Sequence, residues 1–223
     1  MSSSLNRLRL VTICSYLTDT SNTWRGADHT ASKMVKALKG DPINGYFDLT
    51  IKGSKRRFTQ QNVAEFVAII PEVLAQVILS KTEGSATLVP IPNSQVTHLD
   101  IAGFRTLYLA RGISDHSRGR LTAIPALVFA TPQTSARKGG TRNKTHIEGA
   151  YRIVQDVRGP VVLVDDVCTT GNHFVAAAWK LEPLNCQVVL ACAMGRSTKE
   201  QLAKPLELRE EELSLERGFS IDC

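Results

Sequence analysis

The sequence predicts an α/β fold with a central parallel sheet, helices on both of its faces, and a helical N-terminal extension or hood. Short runs rich in β-branched residues follow one another from residue 87 onward, and helical patterns separate them. The composition agrees, since 43% hydrophobic and 22% charged residues are ordinary for a globular protein. A chain of 223 residues can bury a core without disulfides or a structural metal.

The N-terminal extension is predicted to span residues 1–84. Between His29 and Lys39 the apolar residues recur at intervals of three and four, which indicates one helix. Gln60 to Lys81 repeats this pattern, and Pro71 is expected to kink that helix or to start a second one. Val63 to Leu79 is apolar but interrupted by charged residues and a proline, so we expect a soluble helix and no membrane span.

The core is predicted to span residues 85–197, with buried strands near 87–91, 124–130, 161–164 and 187–191. Helices are expected near 99–111 and 174–184. Residues 198–223 mix glutamates with leucines, so they are predicted to form an acidic, helical C-terminal tail.

Charge and cysteine content limit the function classes. Twenty-seven Lys and Arg against 21 Asp and Glu favour an anionic partner such as a phosphate, a nucleic acid or a membrane surface. The five cysteines are odd in number and contain no Cys-x-x-Cys pair, which argues against a disulfide framework and a zinc ribbon. Reduced thiols, and an N-terminus without a clear leader cleavage site, predict a cytoplasmic protein.

The most specific motif is VVLVDDVCTTGNH, residues 161–173. A buried strand runs into Asp165 and Asp166 and then into a turn that opens a helix. Backbone N–H groups in such a turn can surround a phosphate, which predicts a phosphate cup formed by Thr169, Thr170, Gly171 and Asn172. The two carboxylates suit a sugar diol or a hydrated magnesium ion. Paired aspartates also end strands in receiver and dehydrogenase folds, but those alternatives leave the cup unexplained.

This motif resembles the signature of type I phosphoribosyltransferases. The resemblance implies that the acidic pair holds the ribose hydroxyls of phosphoribosyl pyrophosphate (PRPP) and that the turn holds its 5-phosphate, with Mg²⁺ as the cofactor; which residues contact the metal stays open. His173 stands where the family usually has Thr or Ser. A neutral imidazole there can donate one hydrogen bond to a phosphate, and a charged one would attract it further.

A basic stretch with Gly139 and Gly140 precedes the signature strand, and its cations are Arg137, Lys138, Arg142 and Lys144. Cations that arrive when a loop closes can stabilise a departing pyrophosphate. A solvated basic loop or a nucleic-acid patch is the alternative. The stretch resembles the flexible catalytic loop of orotate phosphoribosyltransferases, with Lys144, His146, Glu148 and Gly149 matching its Lys-x-His-x-Glu-Gly end.

Residues 88–112 resemble the ComF-type phosphoribosyltransferases in a Pro-x-Pro strand end, here Pro90 and Pro92, followed by Gly103 and Phe104. The four-cysteine ribbon of that family is absent from this sequence, and the spacer 93–98 carries no Lys or Arg. Pyrophosphate contacts from Pro92 and Asn93 would therefore come from backbone or neutral groups. Arg105 is either a substitute cation or an exposed helix residue.

These observations predict an enzyme that transfers phosphoribose from PRPP to a small nitrogen base and releases pyrophosphate, with Asp165, Asp166, Lys144 and His146 as its catalytic residues. Thr169 stands where purine enzymes place an acid, so pyrimidine-like bases are favoured. Trp24, Tyr46 and Phe47 either stack on the base or fill a small core. The rival is a PRPP- or nucleotide-sensing regulator without turnover, with nucleic-acid binding not favoured. We also allow for a homodimer.

Overall fold

The computed structural model describes residues 6–99, 103–134 and 143–217. The first part of the chain forms β1 (Arg7–Leu17), α1 (Gly26–Lys39), β2 (Tyr46–Ile51), β3 (Ser54–Thr59) and α2 (Val63–Lys81). The middle part forms β4 (Ala86–Pro90), α3 (Arg105–Asp115), β5 (Leu121–Ala123), β6 (Leu127–Phe129), α4 (Lys144–Ala150) and β7 (Tyr151–Ile153). The last part forms β8 (Pro160–Cys168), α5 (Asn172–Leu181), β9 (Gln187–Thr198) and β10 (Arg209–Ser214).

A six-stranded sheet of order β10-β1-β9-β8-β4-β5 forms the centre of the fold. The pairs β1–β9, β9–β8, β8–β4 and β4–β5 are all parallel, and β10 alone in this sheet runs antiparallel, along β1. The carboxyl ends of β8 and β4 therefore lie side by side at one edge of the sheet, where open parallel sheets bind ligands.

Each face of the sheet packs against its own hydrophobic core. Val162 and Val164 of β8 point into a core shared with α1, α2 and α3, whereas Val161 and Leu163 point into a core shared with α5. This division follows from the strand period of two, which sends successive side chains to opposite faces. The predicted fold class, α/β with a mostly parallel sheet covered on both faces, is confirmed.

Two antiparallel hairpins lie outside the central sheet. The hairpin β2–β3 packs Phe47 and Phe58 against Phe66 of α2, with ring centroids 5.1 to 5.6 Å apart. The hairpin β6–β7 pairs Phe129 with Tyr151, which come before and after the basic residues in the sequence. The strand expected over 124–130 is thus only the three residues of β6, because this segment belongs to a hairpin and not to the central sheet.

The C-terminal tail differs from the prediction, since residues 209–214 form β10 and not a helix. Its Leu213 is buried, and Trp179 Nε1 donates to the carbonyl oxygen of Leu215 at 2.8 Å, so the segment covers α5. Residues 7–17 were predicted to belong to the helical extension. In the structure they form β1, an inner strand of the sheet. Both strands arise from long-range pairing that local sequence patterns do not reveal.

The helices of the extension lie close to their predicted positions. α1 and α2 are both present, and α2 continues through Pro71 as one helix. By length and composition α2 is apolar enough to cross a membrane, with a mean hydropathy of 1.8. Five of its residues are buried against the protein, namely Phe66, Ile70, Leu74, Ala75 and Ile78, and core helices of soluble proteins meet the same criterion.

Candidate functional site

The acidic pair lies at the carboxyl end of β8, beside the end of β4. Pro90 pairs with Val164, and the Ile91 N–H donates to the Val164 carbonyl at 2.8 Å, so the Pro-x-Pro segment meets the strand one residue before Asp165. The side chains of Asp165 and Asp166 lie close enough to interact directly. The structure brings together the two motifs that the sequence analysis assigned to one site.

Asp165 sits in surroundings that oppose its ionisation. Burial, followed by the negative charge of Asp166, raises the pKa of the Asp165 carboxyl well above its usual range. Its Oδ1 accepts a hydrogen bond from the Asp166 backbone N–H at 2.7 Å. A carboxyl that holds its proton can donate a hydrogen bond to a sugar hydroxyl, and an ionised one can accept two.

Asp166 faces a cation from the neighbouring helix. The Arg105 guanidinium lies 3.4 Å from Asp166 Oδ2, with 49% of the Arg105 side chain exposed and 14% of the Asp166 side chain exposed. Arg105 is the first residue of α3, which follows the Gly103–Phe104 turn. The substitute cation suggested by the sequence therefore reaches the acidic pair, close enough to contact an anionic ligand beside it.

The predicted phosphate cup forms the turn between β8 and α5. Gly171 is the N-cap residue of α5. Its φ of +82° is a left-handed conformation that residues other than glycine rarely adopt. Thr169 and Thr170 are exposed, and the Asn172 N–H donates weakly to Thr170 Oγ1 at 3.4 Å. The N–H groups of the first turn of a helix have no partner within that helix and attract anions. The geometry therefore fits a phosphate.

His173, which departs from the family pattern, is held by a tyrosine. The Tyr151 hydroxyl lies 2.9 Å from His173 Nδ1, and Tyr151 itself is fully buried and stacked on Phe129. Burial lowers the pKa of His173 and raises that of Tyr151 well above its usual range, so both groups are neutral near pH 7. When the hydroxyl donates to Nδ1, the ring proton resides on Nε2, where it can donate to an anion.

The Pro-x-Pro loop contains a buried polar atom without a described partner. Asn93 Nδ2 donates to the Gly103 carbonyl at 2.9 Å, while Asn93 Oδ1 is buried and has no hydrogen-bond partner among the described residues. Pro92 is buried beside it. The spacer is also tied to the base of the basic stretch, since the Phe129 N–H donates to the Val96 carbonyl at 2.8 Å and Arg152 donates to the Thr97 carbonyl at 3.1 Å.

Lys144 and His146, two of the predicted catalytic residues, lie in α4, and the Lys144 side chain contacts residues other than the acidic pair. Lys144 begins α4, with its Nζ 3.4 Å from the Ser214 carbonyl and 5.8 Å from the Trp179 ring. It lines an open depression of about 1450 Å³ near the far end of α5. His146 is exposed in the first turn of α4, where Asn143 accepts from its backbone N–H at 3.1 Å. Arg137, Lys138 and Arg142 lie outside the described residues.

Three residues around the cup were not predicted from the sequence. Arg196 of β9 donates to the Thr169 carbonyl oxygen, and its Nε lies 2.5 Å from Glu211 Oε1 of β10. Leu213 of β10 packs against Gly171, where an added Cβ would lie 2.7 Å from its Cδ2. Arg196 could have been noticed only as a cation near the end of β9, the strand that follows the signature. No local pattern in the sequence indicates Glu211 or Leu213.

The donor set at the acidic pair fits a magnesium ion only in part. The described ranges contain no cluster of three or more His, Cys, Asp or Glu side chains that could hold a metal. Mg²⁺ is commonly bound by one or two carboxylates and the phosphates of a substrate, with water completing its shell. Asp165 and Asp166 can supply these one or two carboxylate ligands, and the described residues provide no third His, Cys, Asp or Glu ligand beside them.

Trp24, Tyr46 and Phe47 of the extension differ in burial. Phe47 is buried and fills a small core with Phe58 and Phe66. Tyr46 is 50% exposed, with the Arg57 guanidinium 3.9 Å from the centre of its ring. Trp24 donates from Nε1 to the Asp19 carbonyl at 3.0 Å and lies 5.3 Å from the His29 ring. Of the three, Tyr46 offers an open ring face or edge to solvent.

Comparisons with known proteins give no close relative. No family model and no curated protein matches the chain. Among solved structures, it is similar to UMP synthase from Leishmania donovani at 17% identity and TM-score 0.37, covering 74% of this chain and 31% of that one. Orotate phosphoribosyltransferase from Aeropyrum pernix shows 16% identity and TM-score 0.36, covering 74% of this chain and 83% of that one.

Adenine phosphoribosyltransferase from Trypanosoma brucei is similar at 13% identity and TM-score 0.37, covering 74% of this chain and 78% of that one. The present chain spans about a third of the UMP synthase chain. At these identities and TM-scores the similarity does not establish an activity. The ComF-type resemblance stays a prediction.

Proposed function

We propose that this protein binds PRPP with Mg²⁺ and transfers its phosphoribosyl group to a small nitrogen base, releasing pyrophosphate. One observation carries the proposal: two carboxyl groups end a buried parallel strand and lead directly into a left-handed glycine turn that opens a helix. In this proposal the acidic pair binds a sugar diol, and the turn three to seven residues further along the chain binds a phosphate, at the edge where parallel sheets bind ligands.

Each part of the site has a stated role in the proposal. Asp165 and Asp166 hold the ribose hydroxyls, the cup of Thr169 to Asn172 holds the 5-phosphate, and His173 adds a donor from its neutral ring. The proposed contacts of the pyrophosphate are Arg105, Pro92 and Asn93. Bound magnesium supplies positive charge that favours the departure of pyrophosphate. The protein itself orients the sugar so that a base nitrogen can displace pyrophosphate from the anomeric carbon.

Calorimetry with PRPP and Mg²⁺ tests the binding half of the proposal. Asp165→Asn combined with Asp166→Asn keeps the side-chain shapes and removes the charge, so the affinity for PRPP should fall at least tenfold, or about 1.4 kcal/mol. Asp156→Asn, a charge removed on the described surface outside the site, serves as the control. Equal affinities in the double variant and the wild type would remove the acidic pair from the site.

Pyrophosphate release tests the transfer half. The protein is incubated with PRPP, Mg²⁺ and a panel of pyrimidines, purines and simple amines, and we expect release with a pyrimidine-like base. Lys144→Ala and His146→Ala should then lower turnover more than they weaken PRPP binding, because a closing loop acts mainly as charge develops on the leaving group.

A second function, PRPP binding without turnover as in a sensing protein, is favoured by one observation. Lys144 contacts Ser214 and Trp179 in this structure and not the acidic pair. Tight PRPP binding with no pyrophosphate release for any base would support this second function and reject transfer.

A further inference from the structure

The chain between β8 and the cup is held by a side chain from the neighbouring strand. Cys168, the last residue of β8, pairs in register with Arg196 of β9. The Arg196 guanidinium donates to the carbonyl oxygen of Thr169, the first residue of the cup, and lies 3.6 Å from Cys168 Sγ. Arg196 therefore bonds to the backbone at the point where the strand becomes the turn.

This bond fixes the direction of a cup donor. The Thr169 carbonyl and the Thr170 N–H belong to one planar peptide group, and in a trans peptide they point in opposite directions. Holding the carbonyl oxygen on Arg196 therefore directs the Thr170 N–H away from Arg196. Without that bond the exposed Thr169–Thr170 peptide could rotate, because both residues lie in a loop.

Arg196 is in turn held by the C-terminal strand. Its Nε lies 2.5 Å from Glu211 Oε1, and the two side chains are only 20% and 33% exposed. A guanidinium can bond to two partners at once through its planar set of donors, which a single ammonium group does less well. The chain of contacts runs from Glu211 through Arg196 to Thr169.

β10 also contacts the other end of the cup. Gly171 faces Leu213, and a Cβ at Gly171 would lie 2.7 Å and 3.0 Å from the two methyl carbons of that leucine. We propose that β10 positions the phosphate cup, with Arg196 as the positioning residue and Glu211 and Leu213 as its supports, and thereby sets the affinity for the phosphate group of the ligand. This inference rests on the proposed function, because it assumes that the cup binds a sugar phosphate.

Binding of ribose 5-phosphate, measured by calorimetry on the full chain, tests the inference. Arg196→Lys keeps the charge but cannot span Thr169 and Glu211, so it should lower the affinity about tenfold. Glu211→Ala should lower the affinity by a similar factor. Glu211→Gln keeps the shape of the side chain and removes the charge that pairs with Arg196, so it should lower the affinity as Glu211→Ala does.

The matched control lies on the same strand. Glu212 pairs with Arg7 of β1 at 2.5 Å, and these side chains are 68% exposed for Arg7 and 58% exposed for Glu212. Glu212→Ala therefore removes another ion pair of β10, this one with β1, without touching the cup, and it should leave the affinity within twofold of wild type. Melting temperatures of all variants separate a loss of folding from a loss of binding.

Two results would overturn the inference. If Arg196→Lys binds as the wild type does while Arg196→Met does not, the charge acts on the anion directly. If Glu211→Ala binds as tightly as wild type, or more tightly, β10 does not support the cup.

Failure of the proposed function has a different signature, namely a wild-type protein that binds neither ribose 5-phosphate nor PRPP. In that case the amide resonance of Thr170 in the free protein decides the inference. It should shift in Arg196→Lys and stay in place in Glu212→Ala, and an unmoved Thr170 resonance in Arg196→Lys would reject the positioning role.

Discussion

Asp165 is a buried carboxyl whose ionisation makes the stability of the protein depend on pH. In the unfolded chain its carboxyl ionises near pH 4, whereas burial and Asp166 raise its pKa in the folded protein. Between about pH 4 and the folded pKa, the folded state therefore binds more protons than the unfolded state. Stability falls as the pH rises through that window.

Asp165→Asn removes this ionisation, so we expect the variant to be more stable than wild type at neutral pH. Each unit of pKa elevation corresponds to about 1.4 kcal/mol, and the gain should shrink as the pH falls towards about 4. Urea unfolding at a series of pH values measures it. Asp48→Asn is the control, and it should lower the stability at neutral pH, because Arg57 lowers the pKa of Asp48 to about 2. A variant no more stable than wild type at neutral pH would contradict the buried-carboxyl account.

At the scale of elements, the contact between α2 and α3 sets the position of Arg105. α3 begins at Arg105 and crosses α2 with Gly112 against Pro71. A Cβ at Gly112 would lie 2.9 Å from both Cβ and Cγ of Pro71, and a proline ring cannot move aside as a flexible side chain can. The missing side chain at residue 112 therefore permits the close approach of these two helices.

Gly112→Ala should destabilise the protein by about 1 to 3 kcal/mol, because the added methyl group overpacks the contact. Gly149→Ala is the matched control, since a Cβ at that helical glycine meets nothing within 4 Å. Alanine has the better helix propensity, so the control should be neutral or stabilising by up to about 1 kcal/mol. Thermal unfolding compares the two, and equal stabilities would mean that the helices separate without cost.

Elements that were predicted correctly carry their signal locally. β8 reads as a continuous apolar run because both of its faces are buried, and the acidic pair and Gly171 follow within the same thirteen residues. β10 has the sequence REEELS, with no such signal. It forms a strand because β1 presents an unpaired edge and because the pairing puts Leu213 into the core. The contact between Arg196 and Glu211 depends on that pairing, so it could not be predicted from the sequence.

At the scale of the whole molecule, the last described segment supplies the edge strand of the sheet and contacts the helices beside it. β10 covers the edge of β1, Leu213 is buried, and Leu215 provides the acceptor for Trp179 on α5. Arg217 then pairs with Glu148 of α4 and with Glu182, each at 3.1 Å. The segment therefore connects the sheet edge to the helices on one face.

Ending the chain after Pro205 tests this connection. Loss of the buried leucine, of the Trp179 acceptor and of the ladder to β1 should lower the stability by about 3 to 5 kcal/mol, or roughly 10 °C in melting temperature. The uncovered edge of β1 should also promote association, which size-exclusion chromatography detects. A synthetic peptide of residues 206–217 should restore part of the melting temperature, because it can pair again with β1. A truncated chain that melts as the full chain does would show that this segment does not stabilise the fold.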